Sequence, residues 1–139
     1  MSTSHYVLDS YAVLAWLQGE EGGRAVSRLL DQAGHDEVDL AISLVNLGEV
    51  VYIVEREESL QAAQQALALL DSLPVSQEPV DRSMALQAAH CKARYRMSYA
   101  DCFAVALAKK HNAVLVTGDP ELRQHPDVEL LWIGPGAQE

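Results

Sequence analysis

The stretch M-S-Y-A-D-C-F-A-V-A-L-A-K-K-H-N-A-V-L-V-T-G-D-P, residues 97–120, restricts the possible folds more than any other part of the chain. Its first half reads as a helix that is apolar on most sides, through Phe103, Leu107 and a series of alanines. Ser98 is placed to cap that helix and Asp101 falls in its first turn. Lys109 and Lys110 suit its C-terminus, where the helix dipole favours cations. The second half, Ala113 to Val116, is a short apolar run that ends in Thr117-Gly118-Asp119-Pro120, the pattern of a buried strand followed by a turn. A helix packed antiparallel to a strand sets its N-terminus beside that strand's C-terminal end. Asp101 and Asp119 are therefore expected to meet at one edge of a sheet, where open α/β folds place their sites.

The rest of the chain repeats this alternation. His5 to Leu8 reads as a strand, followed by a helix from about Tyr11 to Gln18 with Ser10 as its cap. Arg24 to Gln32 makes a second helix after a break at Glu20–Gly23. Val38 to Ile42 is a second strand, and Ser43 caps a helix whose stripe of Leu44, Leu47, Val51 and Val54 faces the core. Ser59 caps a fourth helix reaching about Leu70. Leu73 to Ser76 is a weak strand, and its Pro74 assigns it to a sheet edge. A helix from about Val80 to Tyr95 precedes the stretch described first. Glu129 to Ile133 is a last strand, and the Gly-Pro-Gly segment after it is expected to fray. Strands alternating with helices predict an α/β three-layer sandwich: a central parallel sheet of about five strands, covered by helices on both faces. Residues 1–139 are expected to form a single domain, with no internal repeat.

Composition limits the function. With 49% hydrophobic residues and no apolar run near the roughly 20 residues of a membrane span, a cytoplasmic, membrane-free protein is expected. Cys91 and Cys102 form no C-x-x-C and read as buried free thiols. The net charge of −10 argues against broad, non-specific nucleic-acid binding. Any nucleic-acid role then depends on a local basic patch or on metal ions. The densest basic cluster is Lys92, Arg94 and Arg96, which either holds a phosphate backbone or answers the dipole of a helix end.

Four carboxylates are expected at one edge of the sheet. Asp9 ends the first strand, Asp119 follows the fourth, and Asp101 opens the helix leading into it. Glu49 lies about 9 Å down the helix after the second strand, at ~1.5 Å per residue. Each has a plain structural reading as a cap, a turn residue or a solvated helix face. Those readings do not require all four to gather. Two unit charges 4 Å apart repel by about 4 kcal/mol at an effective dielectric of about 20, so such a cluster calls for a cation. All-oxygen donors select hard ions, and Mg²⁺ or Mn²⁺ is the natural partner. The five histidines show no zinc-site spacing and read mostly as surface or helix-end residues. The chain has no G-x-S-x-G and no P-loop.

V-L-D-S-Y-A-V-L-A-W-L, S-L-V-N-L-G-E-V, S-Y-A-D-C-F-A-V-A-L-A and V-L-V-T-G-D-P-E-L, in this order, resemble the PIN-domain ribonucleases, and most closely the VapC toxins of toxin–antitoxin pairs. The resemblance covers nearly the whole chain. It implies that Asp9, Glu49, Asp101 and Asp119 occupy acidic catalytic and metal-binding positions, supplemented by the polar residues Ser10, Asn46 and Thr117. It also implies an endoribonuclease that cuts structured RNA, often transfer RNA, with Mg²⁺ or Mn²⁺. A cognate VapB-like antitoxin, a homodimer and a larger toxin–antitoxin assembly are implied as partners. The alternatives are an RNA-processing nuclease outside any toxin pair and a non-catalytic interaction domain. Tyr52 and Ile53 are candidates for the surface that meets an antitoxin or a second copy.

Overall fold

Side-chain alternation along three central strands divides the core in two. In the computed structural model, which describes residues 3–125 and 127–137, Val7, Ala41 and Leu115 point to one face of a sheet. Leu8, Leu40, Ile42 and Val116 point to the other. Both faces are buried, the condition under which parallel strands read as continuous apolar runs. The strands are β1 (Ser4–Leu8), β2 (Val38–Ser43), β3 (Ser76–Glu78), β4 (Val114–Thr117) and β5 (Leu130–Trp132). All pair in parallel in the order β3-β2-β1-β4-β5. The helices are α1 (Ser10–Leu17), α2 (Gly23–Gly34), α3 (Leu44–Glu57), α4 (Leu60–Asp71), α5 (Arg82–Arg94) and α6 (Tyr99–His111). Helices α1 to α4 supply the first core and α5 and α6 the second. The expected three-layer sandwich is the observed one.

The chain winds outward from β1 through β2 to β3, then returns to the other side of β1 for β4 and β5. The direction of winding reverses between β1 and β4, and this switch point is where an open α/β sheet leaves a crevice at its C-terminal edge. Asp9 follows β1 directly, and Asp119 stands two residues after the end of β4. Helix α6 is almost wholly buried from Asp101 to Ala108, as its composition requires. Asn112 ends it in the left-handed region, with φ of 50°.

Several boundaries differ from the sequence expectation for local reasons. Asp9, and not Ser10, caps α1, because its carboxylate reaches the Ala12 amide. Asp81 caps α5 in the same way, so that helix starts at Arg82. The third strand is Ser76–Glu78, and Leu73–Val75 lies outside the sheet. Pro74 has no N–H to give, and the Val75 amide is spent on the Leu73 carbonyl at 2.8 Å. The edge position expected for that strand holds. The segment after β5 is pinned where fraying was expected: Trp132 Nε1 donates to the Pro135 carbonyl at 3.1 Å, and the Ala137 amide to Gly134. Cys91 and Cys102 are free and buried, and burial pushes the Cys102 thiol up to about 12.

Candidate metal centre

Asp9 is fully buried and is held by two elements at once. Its Oδ1 accepts from the Ala12 amide at 2.8 Å, and its Oδ2 accepts from the Thr117 hydroxyl on the adjacent strand. Thr117 Oγ1 also accepts from the Asp119 amide at 3.0 Å, and Asp119 Oδ1 from the Glu121 amide at 3.0 Å. Asp119 thereby caps a short 3₁₀ turn, Pro120–Gln124, that carries Glu121 back over the edge. Ser98 Oγ accepts from the Asp101 amide at 3.1 Å and opens α6 beside it. From α3, buried Asn46 donates Nδ2 to the Ala100 carbonyl at 3.0 Å, tying α3 to the first turn of α6. Ser10 donates its hydroxyl to Glu49 Oε1. Between Thr117 and Asp119, Gly118 leaves no room for a side chain. A Cβ there would lie 2.2 Å from the Tyr11 ring and 2.8 Å from Gly134 Cα.

Carboxylate oxygens of Asp101, Asp119 and Glu121 lie within 4.8 Å of one another. Asp9 flanks them closely enough for its charge to be felt at Asp101, and the charge of Glu49 is felt in turn at Asp9. Burial, then the charges of Asp119 and Asp9, pushes the Asp101 carboxyl up to about 8. Burial also pushes Asp9 up to about 7, against the hydrogen bonds from Thr117 and Ala12 and with the help of the charges on Asp119 and Glu49. Among the described residues, no Lys, Arg or His forms an ion pair with any of these five acids.

The donor set fits a hard divalent cation. It is all oxygen, and it is crowded with like charge that no basic side chain among the described residues pairs with. Burial together with that like charge raises its two most buried carboxyls to about 7 and about 8, a penalty that a bound cation would relieve. Asn46 Oδ1 is buried without a hydrogen-bond partner, which leaves a free acceptor beside the acidic helix turn.

The sequence-expected residues fall as follows. Asp9, Glu49, Asp101 and Asp119 converge on the switch-point edge. Asp101 and Asp119 belong to the tight oxygen cluster, whereas Asp9 and Glu49 have oxygens engaged by Thr117 and Ser10. Glu121 was given no role from sequence. The signal available was its place two residues after Asp119 and next to a proline that can start a turn. Asn46 reaches α6 rather than the acids. The basic trio separates: Lys92 Nζ donates to the Met97 carbonyl at 2.8 Å, Arg94 lines a groove between α5 and α6, and Arg96 lies exposed before α6. His125 is buried and packs at a tilt against Tyr95, with ring centroids 4.6 Å apart, because the 3₁₀ turn folds it inward.

Fold and site together define an α/β protein with an acid-lined, oxygen-donor centre at its switch point. The chain belongs to the PIN domain family, whose model matches residues 6–128. Sequence comparison with proteins of curated function returns no match. Among solved structures, the chain is similar to DNA-bound VapBC from Salmonella typhimurium, at 16% identity and TM-score 0.73, covering 94% of this chain and 99% of that one. VapBC2 from Rickettsia felis, bound to a promoter DNA fragment, gives 18% identity and TM-score 0.72, covering 91% and 97%. VapC20 from Mycobacterium tuberculosis, a toxin that cleaves the sarcin-ricin loop, gives 22% identity and TM-score 0.70, covering 89% and 97%. At these identities the likeness is one of fold: the chain shares the architecture of VapC toxins. Among the described residues, no helix is long and apolar enough to cross a membrane.

Proposed function

We propose that this protein is a divalent-metal-dependent endoribonuclease of the VapC type, which hydrolyses phosphodiester bonds of structured RNA, with transfer RNA the first candidate. The observation that carries this reading is the cluster of Asp101, Asp119 and Glu121 oxygens within 4.8 Å, flanked by Asp9 and Glu49 and lacking any basic partner among the described residues.

Asp101, Asp119 and Glu121 would hold the ion, and Asp9 would complete the negative wall. When bound, Mg²⁺ or Mn²⁺ supplies Lewis acidity, lowering the pKa of a water and stabilising charge on the phosphate and the leaving oxygen. Thr117 fixes the orientation of Asp9 and, through the Asp119 amide, the start of the turn that carries Glu121. Glu49, half-buried and held by Ser10, would orient the attacking water and take its proton. Because water rather than the ribose 2′-hydroxyl attacks, the products carry 5′-phosphate and 3′-hydroxyl ends.

A cognate antitoxin is the proposed regulator, since several similar structures are toxin–antitoxin complexes. Exposed Leu44, Tyr52, Leu60 and Leu69 on α3 and α4, with Ile53 beside them, offer an apolar surface for an antitoxin or a second copy of the chain. A cytoplasmic location accords with this role. The test is incubation of the purified protein with transfer RNA and Mn²⁺, set beside Asp9→Asn and Asp101→Asn. Loss of cleavage in both variants supports the proposal. Equal cleavage by all three proteins would assign the activity to a contaminating nuclease.

A further inference from the structure

A second surface stands apart from the acidic centre and has the opposite charge. Helices α5 and α6 enclose an open groove of about 660 Å³. Arg82, Arg94 and Lys109 line it, three of the chain's ten Lys and Arg residues. The single acid among its described lining residues, Asp127, lies 4.0 Å from Lys109 in an exposed ion pair that a phosphate can displace. In a protein of net charge −10, that concentration of cations in one concavity is not what an evenly solvated surface gives. Arg82 and Arg94 stand at opposite ends of α5, about 18 Å apart at ~1.5 Å per residue, so the basic lining spans several nucleotides of an extended strand. Buried His125 also lines the groove, beside Tyr95. The Asp127 amide donates to its Nδ1 at 3.3 Å, which leaves Nε2–H as the free donor of the neutral ring. Burial, then the charge of Lys109, holds His125 below the ordinary histidine range, with Asp127 opposing and Arg94 adding to the shift.

The chain runs directly from the groove-lining end of α5 to the helix turn that bears an acid. Arg94 and Tyr95 end α5, and Arg96, Met97 and Ser98 connect them to the first turn of α6, which bears Asp101. Across this connection, Gln124 Nε2 donates to the Arg96 carbonyl at 3.0 Å, joining it to the 3₁₀ turn that bears Glu121. We propose that the α5–α6 groove binds the phosphate backbone of an RNA strand where it leaves the acidic centre, with Arg82, Arg94 and Lys109 as the phosphate contacts. The proposal rests on the nuclease reading, and it supplies the local basic surface that an acidic chain needs to hold a polyanion.

The experiment measures binding without cleavage. Fluorescence anisotropy of a labelled oligouridylate is followed in EDTA, in an Asp101→Asn background, across a salt series. Adding Arg82→Gln and Lys109→Gln together should weaken binding about tenfold and reduce the slope of log K against log salt by about 1.4, as two lost single-strand phosphate contacts require. The charge-matched pair Arg28→Gln and Arg56→Gln, exposed and away from the groove, should leave both quantities unchanged. Both groove positions are exposed, so unaltered circular dichroism is expected. Unchanged affinity and slope in the groove variant, in a protein whose wild type cleaves RNA, would overturn the groove proposal alone. Wild type that neither binds nor cleaves RNA would overturn the nuclease reading and the groove with it. Capture of polyglutamate but not oligouridylate would overturn it in favour of an acidic protein partner.

Discussion

Replacing Asp9 by Asn should make the metal-free protein more stable in mild alkali. The Asp9 carboxyl rises from 3.8 to about 7 on folding because burial disfavours its charged form. A raised folded-state pKa favours the fold fully below about pH 4 and loses that contribution as pH rises through about 7. At about 1.4 kcal/mol per pH unit, the charged carboxylate therefore costs the apoprotein about 4 kcal/mol at about pH 8. Asn removes the charge and keeps the shape. Its carbonyl can still cap the Ala12 amide, and its NH₂ can donate to Thr117 Oγ1, which reverses that bond at a loss of about 1 kcal/mol. The net gain is about 2–4 kcal/mol, or a Tm rise of about 5–15 °C for a chain of this size. The assay is a thermal melt of both proteins in EDTA at about pH 5 and about pH 8. The Asn variant should lead clearly at the higher pH and lose most of that lead at the lower. Equal destabilisation at both pH values would show that the carboxylate's hydrogen bonds outweigh its burial, and the strained-cluster reasoning would fail.

Other outcomes follow from the same geometry. Thr117→Val removes the donor to Asp9 and the acceptor of the Asp119 amide, and should cost about 1–3 kcal/mol in EDTA, with the larger loss at high pH; urea melts check this. Gly118→Ala forces a methyl into the Tyr11 ring and the Gly134 backbone, so a loss of about 1–3 kcal/mol and weakened cleavage are expected, with partial rescue of stability by Tyr11→Leu. Binding of Mn²⁺ requires Asp101 to give up the proton it holds up to about 8, so affinity should rise about tenfold per pH unit below that value. Calorimetry in buffers of different ionisation enthalpy should show the released proton, and a flat pH profile would contradict its release.

The architecture was legible because the alternation is strong: a helix as apolar as Phe103–Ala108 must be buried, and short runs such as Val114–Val116 cannot stand as isolated strands. The gathering of Asp9, Asp101 and Asp119 followed from the rule that parallel strands end at one edge. Registers that depend on a single hydrogen bond were less legible. Nothing in Leu73–Ser76 shows that the Val75 amide turns back on Leu73, which delays the third strand to Ser76. Glu121 escaped because a 3₁₀ turn has no periodicity that sequence can display over five residues, yet that turn brings it against Asp119. The Lys92, Arg94 and Arg96 cluster looked like one patch, but alternate residues at a helix end diverge. One is spent on a carbonyl, one enters a groove, and one faces solvent.

The most direct test of the centre is crystallographic. Crystals soaked in Mn²⁺ and measured near the manganese absorption edge should show an anomalous peak bounded by the carboxylates of Asp101, Asp119 and Glu121, and Asp101→Asn should abolish it. A peak at some other acidic surface, or none at this cluster with Mn²⁺ in excess, would contradict a metal-dependent centre at this edge of the sheet.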